Sequence, residues 1–290
     1  MKVLGVTFLT GTADAVVAAG LRGGLVVIPS APVLVRMTED AAHREALLNA
    51  DMAITDSGLM VLLWRLLKRE KLERVSGLEY LKLLLEKLAS SSQPSTPAEG
   101  GTFWVMPTEA ARDRNLAWLR ANGHATTAED CYLAPRYPTS GPLADPDLLA
   151  LIRQRQPAHI ILCIGGGVQE RLGYFLKREL EKDHIASSSP LSVVPSAAQG
   201  APASVTSSPV STSSSELSAP PLPGIHCVGA AIGFLTGDQV RIPMWVDYLY
   251  LGWLWRCVSA PRLYFPRYWK AVRLVGLMWR YGSTAPDVAS

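Results

Sequence analysis

Apolar residues occur along the chain in two alternating patterns, short continuous runs and stripes with helical spacing. The runs have the length of buried strands, and they end near Gly, Pro, Asp or Ser. Leu59, Leu62, Leu63 and Leu66 show the second pattern, because they recur at the i, i+3, i+4 and i+7 positions of a helix packed on a sheet. These patterns predict strands at residues 25–28, 52–55, 102–106, 160–164 and 225–228, with a helix between successive strands.

Capping and turn signals sharpen this prediction in the middle of the chain. Asp145 followed by Pro146 is the combination expected at a helix start, and Pro157 would end that helix. The glycines at 165–167 predict a turn from the preceding strand into a helix over about 169–181. Strands that alternate with helices at this spacing predict an α/β fold, with a Rossmann-like, mostly parallel sheet and flanking helices.

Two segments rich in Ser and Pro interrupt the α/β pattern. Ser and Pro make up more than half of residues 187–223, where Glu216 is the only charged residue, and residues 89–101 are rich in Ser, Pro and Gly. Segments with so few apolar side chains do not offset the entropy of ordering, so both are predicted to be disordered insertions. We therefore predict an α/β domain over 1–240, a C-terminal appendage over 241–280 and a disordered tail over 281–290.

The appendage combines aromatic and basic residues, and Asp247 is its single acidic residue. A helix that starts near Pro261 would carry basic residues on one side, namely Arg262, Lys270, Arg273 and Arg280. Its other side would carry Tyr264, Phe265, Tyr268, Val272, Val275 and Trp279. This pattern is typical of a helix in a membrane interface. The same periodicity also fits a helix docked on its own domain, and Pro266 could kink or delay its first turn.

Composition and charge narrow the class of protein. With 290 residues, 48% of them hydrophobic, the chain can bury one sizeable core. A net charge of +3 is too small to indicate a nucleic-acid partner. Four cysteines without a CxxC spacing favour reduced thiols in the cytoplasm over a zinc site. No apolar run approaches the ~20 residues needed to cross a bilayer, so a soluble or peripheral protein is expected.

Asp56 is the first candidate for catalysis, because it directly follows a predicted strand and ligands bind at the carboxyl ends of strands in open α/β sheets. The same residue, two positions before Gly58, could instead only cap the next helix. The glycines at 165–167 could hold an anion or serve only as a tight turn. Glu170 could contact a substrate or only complement the helix dipole. Arg74 could pair with a phosphate or remain solvated.

Several common catalytic motifs do not occur in this sequence. There is no G-x-G-x-x-G fingerprint and no Walker lysine, so neither a dinucleotide nor an ATP site is predicted. No Asp-x-Asp pair is placed to hold a metal and the histidines lack metal-ligand spacing, so no metal and no cofactor are predicted. A nucleophilic hydrolase is not indicated either, because no G-x-S-x-G or Cys/His arrangement occurs.

The motifs that do occur follow one another in a recognisable order. Residues 50–58 end in Asp-Ser-Gly, residues 74–77 read Arg-Val-Ser-Gly, and residues 165–170 read Gly-Gly-Gly-Val-Gln-Glu. A block with Gly, Arg, Pro and Trp follows over residues 229–262. In this order the motifs resemble those of the WecB/TagA/CpsF family of bacterial glycosyltransferases, which includes N-acetylmannosaminyl and N-acetylmannosaminuronyl transferases. The resemblance covers nearly the whole chain outside the two Ser- and Pro-rich segments.

The resemblance implies an inverting, metal-independent glycosyltransferase. Such an enzyme would move a sugar of the N-acetylhexosamine type from a UDP-sugar to a polyprenyl-diphosphate-linked acceptor in cell-surface polysaccharide synthesis. Asp56 would be the catalytic base, and Gln169 would be a second catalytic residue that contacts donor or acceptor. The other matching positions are expected to bind substrate: Ser30, Ser57, Gly58, Arg74, Gly77, Gly165, Gly166, Glu170, Arg241, Arg256 and Arg262.

The resemblance also implies partners and a location. The expected partners are the UDP-sugar, the lipid-linked acceptor and the inner face of the plasma membrane, with a homo-oligomer as an option and no nucleic acid. Gly233 and Gly252 stand where the family has Asp and Glu, so the resemblance leaves the transferred sugar open. One alternative is a non-catalytic subunit that docks on a membrane glycosyltransferase through the appendage. A nucleotide-binding oxidoreductase is disfavoured by the missing fingerprint.

Overall fold

The structure is a computed structural model that describes residues 1–70, 72–90, 101–188, 222–238, 243, 246 and 249–288. At the N-terminus, β1 (Lys2–Val3) and β2 (Val6–Thr7) pair as an antiparallel hairpin. The other strands of the described residues form a six-stranded sheet in which every pairing is parallel. They are β3 (Gly24–Val27), β4 (Met52–Ala53), β5 (Thr102–Met106), β6 (Cys131–Leu133), β7 (His159–Leu162) and β8 (Gly224–Cys227). The order across the sheet is β4-β3-β8-β7-β5-β6.

Helices connect and flank the strands. Those of the sheet domain are α1 (Ala13–Gly20), α2 (Ala31–Val35), α3 (Ala41–Leu48), α4 (Gly58–Lys68), α5 (Gly77–Ser90), α6 (Glu109–Ala121), α7 (Pro146–Arg155), α8 (Gln169–Ser188) and α9 (Ala231–Leu235). A short 3-10 helix, Arg36–Thr38, continues α2. Three further helices follow in the C-terminal segment: α10 (Gly252–Ser259), α11 (Pro261–Ala271) and α12 (Arg273–Tyr281).

The sheet is covered on both faces, and each face has its own hydrophobic core. In β3, Leu25 and Val27 belong to a core with residues of α2, α3, α4, α7 and α8, whereas Val26 belongs to a core with residues of α1, α5, α6 and α9. Parallel strands buried on both faces are apolar at nearly every position. This is why the strands appear in the sequence as continuous apolar runs.

The predicted α/β alternation is confirmed. β5 occupies the predicted residues 102–106 and is followed by the helix α6, and Asp145 caps α7 by accepting a hydrogen bond from the Leu148 amide. The strand predicted at 52–55 ends at Ala53, because Thr55 and Asp56 turn away to bond a neighbouring loop. β6 was not predicted, since it is a three-residue edge strand of half-buried residues without a distinct apolar pattern.

The C-terminal helices dock on the sheet domain. α11 contacts α2, and α12 contacts both α2 and α4. Tyr264, Ala271, Leu274 and Met278 are buried in this contact. The predicted apolar side does not face the sheet domain as a whole. Tyr264 is buried, whereas other members of that side are exposed: Phe265, Trp269, Val272, Val275 and Trp279. Pro266 lies inside α11, which ends at Ala271, and α12 begins at Arg273.

The residues after α12 differ from the disordered tail predicted for 281–290. The Leu4 and Gly5 amides donate to the carbonyls of Gly282 and Ser283, at 2.8 and 3.0 Å. Arg44 Nε donates to the Pro286 carbonyl at 2.6 Å. These bonds hold the end of the described chain against the N-terminal hairpin. Most of both predicted insertions, residues 91–100 and 189–221, lies outside the described residues, as does Arg241. No helix in the described ranges is long and apolar enough to span a bilayer.

A buried chain of polar rings crosses the end of the sheet opposite the carboxyl ends of its strands. Tyr80 Oη lies 2.8 Å from His226 Nδ1, and His226 Nε2 lies 3.2 Å from His159 Nδ1. Burial lowers the pKa of His226 to about 3, with a further lowering from His159. Burial also lowers the pKa of His159 and raises that of Tyr80. The folded protein therefore keeps both histidines neutral below the pH at which free histidine protonates.

This burial predicts acid sensitivity. Above pH ~6.5 the stabilisation is fully present, and as the pH falls toward 3 the unfolded chain gains protons that the folded chain does not. Each such histidine should lower the free energy of unfolding by up to ~1.4 kcal/mol per pH unit in this window. Urea unfolding of the wild type and His226→Gln between pH 7 and 4.5 measures the difference. The variant should show the shallower slope. Equal slopes for the wild type and His226→Gln would mean that His226 titrates normally in the fold.

Candidate active site

An open cavity of about 730 Å³ lies at the carboxyl ends of β3, β4, β7 and β8. Its position agrees with the general location of ligand sites in open α/β sheets. Asp56, Arg74, Gln169 and Arg256 bring polar groups to the cavity, and the glycines at 165 and 166 form part of its wall. Apolar side chains line the rest, among them Ile28, Val33, Leu78, Pro107, Cys163, Val228 and Phe234.

Asp56 is held in place by the loop before α5. Its Oδ1 accepts a hydrogen bond from the Gly77 amide at 2.8 Å, and the side chain remains one-third exposed. Thr55 fixes the same junction, because its Oγ1 donates to the Glu73 carbonyl at 2.8 Å and accepts from the Val75 amide at 3.2 Å. The carboxylate is therefore oriented by backbone contacts while it stays accessible from the cavity.

Arg74 ties the loop to the carboxyl end of β4. Its Nε donates to the Asp56 carbonyl at 2.8 Å, and its Nη2 lies 3.9 Å from Asp56 Oδ1. The guanidinium is largely buried and lines the cavity beside the carboxylate. A cation and a general-base candidate thus share one wall of the site.

The glycine turn after β7 closes the opposite wall. A Cβ on Gly166 would lie 2.9 Å from Val33 Cγ2, and a Cβ on Gly167, whose φ is +89°, would collide with the Arg36 guanidinium. Glu170 is fully buried under the turn and accepts a hydrogen bond from the Gly167 amide. The turn therefore needs glycine at these two positions for close packing.

Gln169 presents a buried amide to the cavity. Its Nε2 donates to the Cys227 carbonyl and to Glu170 Oε1, both at 3.2 Å, and only 3% of the residue is exposed. Its Oε1 has no hydrogen-bond partner among the described residues. A buried oxygen without a partner costs free energy, so this atom has an unused capacity to accept a hydrogen bond.

The glycine turn also depends on a buried arginine that the sequence did not single out. Arg171 Nε donates to the Gly167 carbonyl at 2.8 Å, and its Nη2 donates to the Pro138 carbonyl at 2.7 Å. Burial lowers the pKa of Arg171, and the nearby Asp40 carboxylate, 3.9 Å away, opposes that shift. Arg171 thereby joins the turn to the loop that follows β6.

The C-terminal segment completes the site from outside the sheet domain. Arg256 on α10 lines the cavity, and its guanidinium lies 5.2 Å from the centre of the Phe234 ring. The Tyr250 carbonyl approaches Gly58 so closely that a Cβ there would lie 2.4 Å from the oxygen. A second, narrow cavity of about 60 Å³ joins the two parts and is lined by Ser57 and Gly58 on one side and Trp253 and Tyr268 on the other.

Most of the predicted site residues lie around these two adjoining cavities. The main cavity is lined by Ser30, Asp56, Arg74, Gly77, Gly165, Gly166, Gln169, Glu170 and Arg256. The capping role that was weighed for Asp56 belongs instead to Ser57, which accepts from the Met60 amide at the start of α4 and also lines the narrow cavity. Arg262 is exposed on α11 and lines neither cavity, and Arg241 lies outside the described residues.

Some lining residues were not singled out from the sequence. Leu78 reads as an ordinary core residue, and Phe234 and Tyr250 lie within the block over 229–262 without being its distinctive residues. Their apolar or aromatic character fits both a core and a binding wall, so only their placement distinguishes the two. No three of the Asp, Glu, His and Cys side chains that the structure describes come together as a possible metal site.

The fold and the cavity define an α/β protein with a ligand site at the carboxyl edge of its sheet. The model of the Glycosyl transferase WecG/TagA/CpsF family matches residues 1–188 and 214–287. The chain therefore belongs to this family and is a glycosyltransferase, which confirms the expectation from the ordered motifs. A comparison with curated proteins gave no match.

The contact between Gly58 and Tyr250 predicts the effect of a single methyl group. Gly58→Ala should lower Tm and increase proteolysis of the C-terminal segment, because the new Cβ would displace the Tyr250 carbonyl. Gly165→Ala is the matched control, since its Cβ would meet no described atom within 4 Å. Thermal unfolding and limited proteolysis measure both effects. If Gly58→Ala gained stability like an ordinary helical Gly→Ala change, the close contact would be disproved.

Proposed function

We propose that this enzyme transfers an N-acetylhexosamine-type sugar from a UDP-sugar to a polyprenyl-diphosphate-linked acceptor, with inversion and without a required metal. The reaction would serve cell-surface polysaccharide synthesis at the cytoplasmic face of the plasma membrane. The observation that supports this best is the grouping of an accessible carboxylate, a buried amide and two arginines around one cavity. These groups match the needs of a direct displacement at an anomeric carbon with a diphosphate leaving group.

Asp56 acts as the general base in this proposal. The acceptor hydroxyl gives its proton to the Asp56 carboxylate while its oxygen forms a bond to the anomeric carbon. The bond from that carbon to the UDP oxygen breaks, and UDP leaves with the electron pair. A single displacement from the opposite side inverts the anomeric configuration. The Gly77 amide, which donates to Asp56 Oδ1, supports the role because it fixes the direction of the carboxylate.

The leaving diphosphate gains negative charge that cations and amide groups can stabilise. Arg74 and Arg256 both line the cavity, and guanidinium groups form strong paired hydrogen bonds to phosphates. The glycine turn at 165 and 166 supplies a wall on which a diphosphate can approach the backbone closely. We assign Arg241 to the same task by its motif position, and Arg262, which is exposed, to the membrane surface instead.

Gln169 orients a substrate in this proposal. Its Oε1 lacks a partner among the described residues, so it accepts a hydrogen bond from a sugar hydroxyl or an N-acetyl amide. Its Nε2 is already held by the Cys227 carbonyl, which fixes the direction of the oxygen. Ser30, Ser57, Gly58, Gly77 and Glu170 shape or support the same pocket.

The C-terminal segment provides a surface for the lipid-linked acceptor. Phe265, Trp269 and Trp279 are 56%, 68% and 79% exposed, and the Phe265 and Trp269 rings stack with centroids 5.9 Å apart. Large exposed aromatic side chains near basic ones are typical of a membrane-interface surface. Because α10 carries Arg256 into the cavity, the same segment would connect the membrane with the site.

The base assignment predicts a large loss of activity from a small chemical change. Asp56→Asn should lower kcat by at least ~100-fold, because an amide accepts no proton from the acceptor. The variant should keep its Tm, since Asn still accepts a hydrogen bond from Gly77. Transfer from a UDP-sugar to a polyprenyl-diphosphate-linked sugar gives the rate. Asp14→Asn, an exposed carboxylate paired with Lys87, serves as the control.

Thermal shift with UDP and a panel of UDP-sugars separates two kinds of failure. Stabilisation by UDP together with full activity of Asp56→Asn would remove Asp56 from the role of base but keep the donor class. No stabilisation of the wild type by any UDP-sugar would contradict the donor. If the protein then associated strongly with a membrane glycosyltransferase, the non-catalytic partner hypothesis would be favoured.

The exposed aromatic residues predict membrane binding. Replacing Phe265, Trp269 and Trp279 together by Ser should weaken binding to anionic vesicles by at least about tenfold, since their apolar area no longer enters the interface. Binding of the wild type should also fall with added salt. Vesicle sedimentation measures both effects. Ile185→Ser is the control, because Ile185 on α8 is 66% exposed. Equal sedimentation of the triple variant and the wild type would contradict the membrane role.

A further inference from the structure

The Tyr250 ring interacts with two arginines of the sheet domain. The guanidinium carbons of Arg65 and Arg74 lie 5.0 and 5.8 Å from the ring centre. Arg65 Nη2 is also 3.5 Å from Tyr250 Oη and donates to the Leu72 carbonyl at 3.3 Å. The electron-rich face of an aromatic ring attracts cations at these distances. One side chain of the C-terminal segment therefore holds two cations of α4 and the following loop.

The backbone of Tyr250 is held equally firmly. Its φ is +60°, a left-handed conformation that a bulky residue rarely adopts. Its carbonyl lies against Gly58, where no side chain could fit, and the next residue, Leu251, is the N-cap of α10. A residue keeps such a conformation when its surroundings fix it. Tyr250 is thus the point at which the C-terminal segment locks onto the sheet domain before α10 begins.

Arg74 also borders an open space outside the main cavity. On its other side lies a cavity of about 300 Å³ that Arg74 and Tyr250 both line, together with Glu73 and Glu79. The two carboxylates would attract a guanidinium that had lost its contact with the ring. Rotation of Arg74 into this space would break its bonds to Asp56.

We propose that Tyr250 is a positioning residue for glycosyl transfer, which acts through Arg74 and thereby keeps Asp56 in its catalytic orientation. The inference rests on the proposed role of Asp56 as base. Docking of the C-terminal segment then does more than add Arg256 to the cavity. It also organises the cation and the carboxylate that the sheet domain already contains, so the complete site forms only when the segment is docked.

Hydrogen exchange tests this inference without any substrate. The Gly77 amide is bonded to Asp56 Oδ1, so exchange in residues 72–80 reports whether the carboxylate stays in place. In Tyr250→Leu this exchange should be at least about threefold faster, and in Tyr250→Phe, which keeps the aromatic face, it should match the wild type. Arg65→Met, which loosens the ring without touching Asp56, should give a smaller change in the same direction. Tyr174→Leu is the control, because it removes a similar ring of α8, 5.7 Å from the Arg178 guanidinium, that lines neither the main nor the narrow cavity.

Kinetics supply the second measurement. Tyr250→Leu should lower kcat by about tenfold, because the base is misplaced, and should raise KM for the donor by more than about twofold, because Arg74 no longer faces the diphosphate. Tyr250→Phe should restore most of kcat. Wild-type exchange at 72–80 in both Tyr250→Leu and Arg65→Met would overturn the inference. A wild type that transfers no sugar would refute the proposed function, while the exchange result would still decide whether Tyr250 positions Arg74 and Asp56.

Discussion

The site depends on the hydrogen bonds that join the carboxyl end of β4 to the loop before α5. Thr55 and Asp56 make side-chain bonds to the backbone of residues 73, 75 and 77, and Arg74 returns a bond to the Asp56 carbonyl. The helix α4 begins just after Asp56, and α5 begins at Gly77, at the end of the loop. Since these helices are anchored in opposite cores of the sheet, the packing of the domain positions the two chain segments that carry the carboxylate and the guanidinium.

On the opposite wall of the cavity, buried polar side chains hold the glycine turn in place. Glu170 and Arg171 are almost completely buried and bond the amide and the carbonyl of Gly167. Burial of charged groups costs free energy unless each finds partners, and here the partners are the backbone groups of the glycine turn. These hydrogen bonds fix the backbone conformation of the turn. Gln169 Oε1, beside the turn, has no hydrogen-bond partner among the described residues.

The C-terminal segment divides its apolar residues between two tasks. Tyr264, Leu274 and Met278 bury against the sheet domain, while Phe265, Trp269 and Trp279 remain exposed. The sequence pattern alone left docking and membrane binding as alternatives, because both use an apolar helix side. In the folded chain the two are compatible, since α11 and α12 present different residues in different directions. A docked segment with an exposed aromatic surface is compatible with the lipid-linked acceptor that we propose.

The sequence by itself determined the α/β class and most strands and helices, because continuous apolar runs and capping residues are local signals. Its ordered motifs also indicated Asp56, Arg74 and Gln169 as candidate site residues. It did not determine β6, the bonding of residues 282–286 to the hairpin, or the positions of Arg171, Tyr250 and Phe234. Those depend on contacts between residues far apart in the chain, such as Tyr250 with Arg74. Local patterns specify which element a residue joins, whereas packing decides which distant side chain it meets. Only the tertiary structure could therefore bring the carboxylate, the amide and the arginines to one cavity.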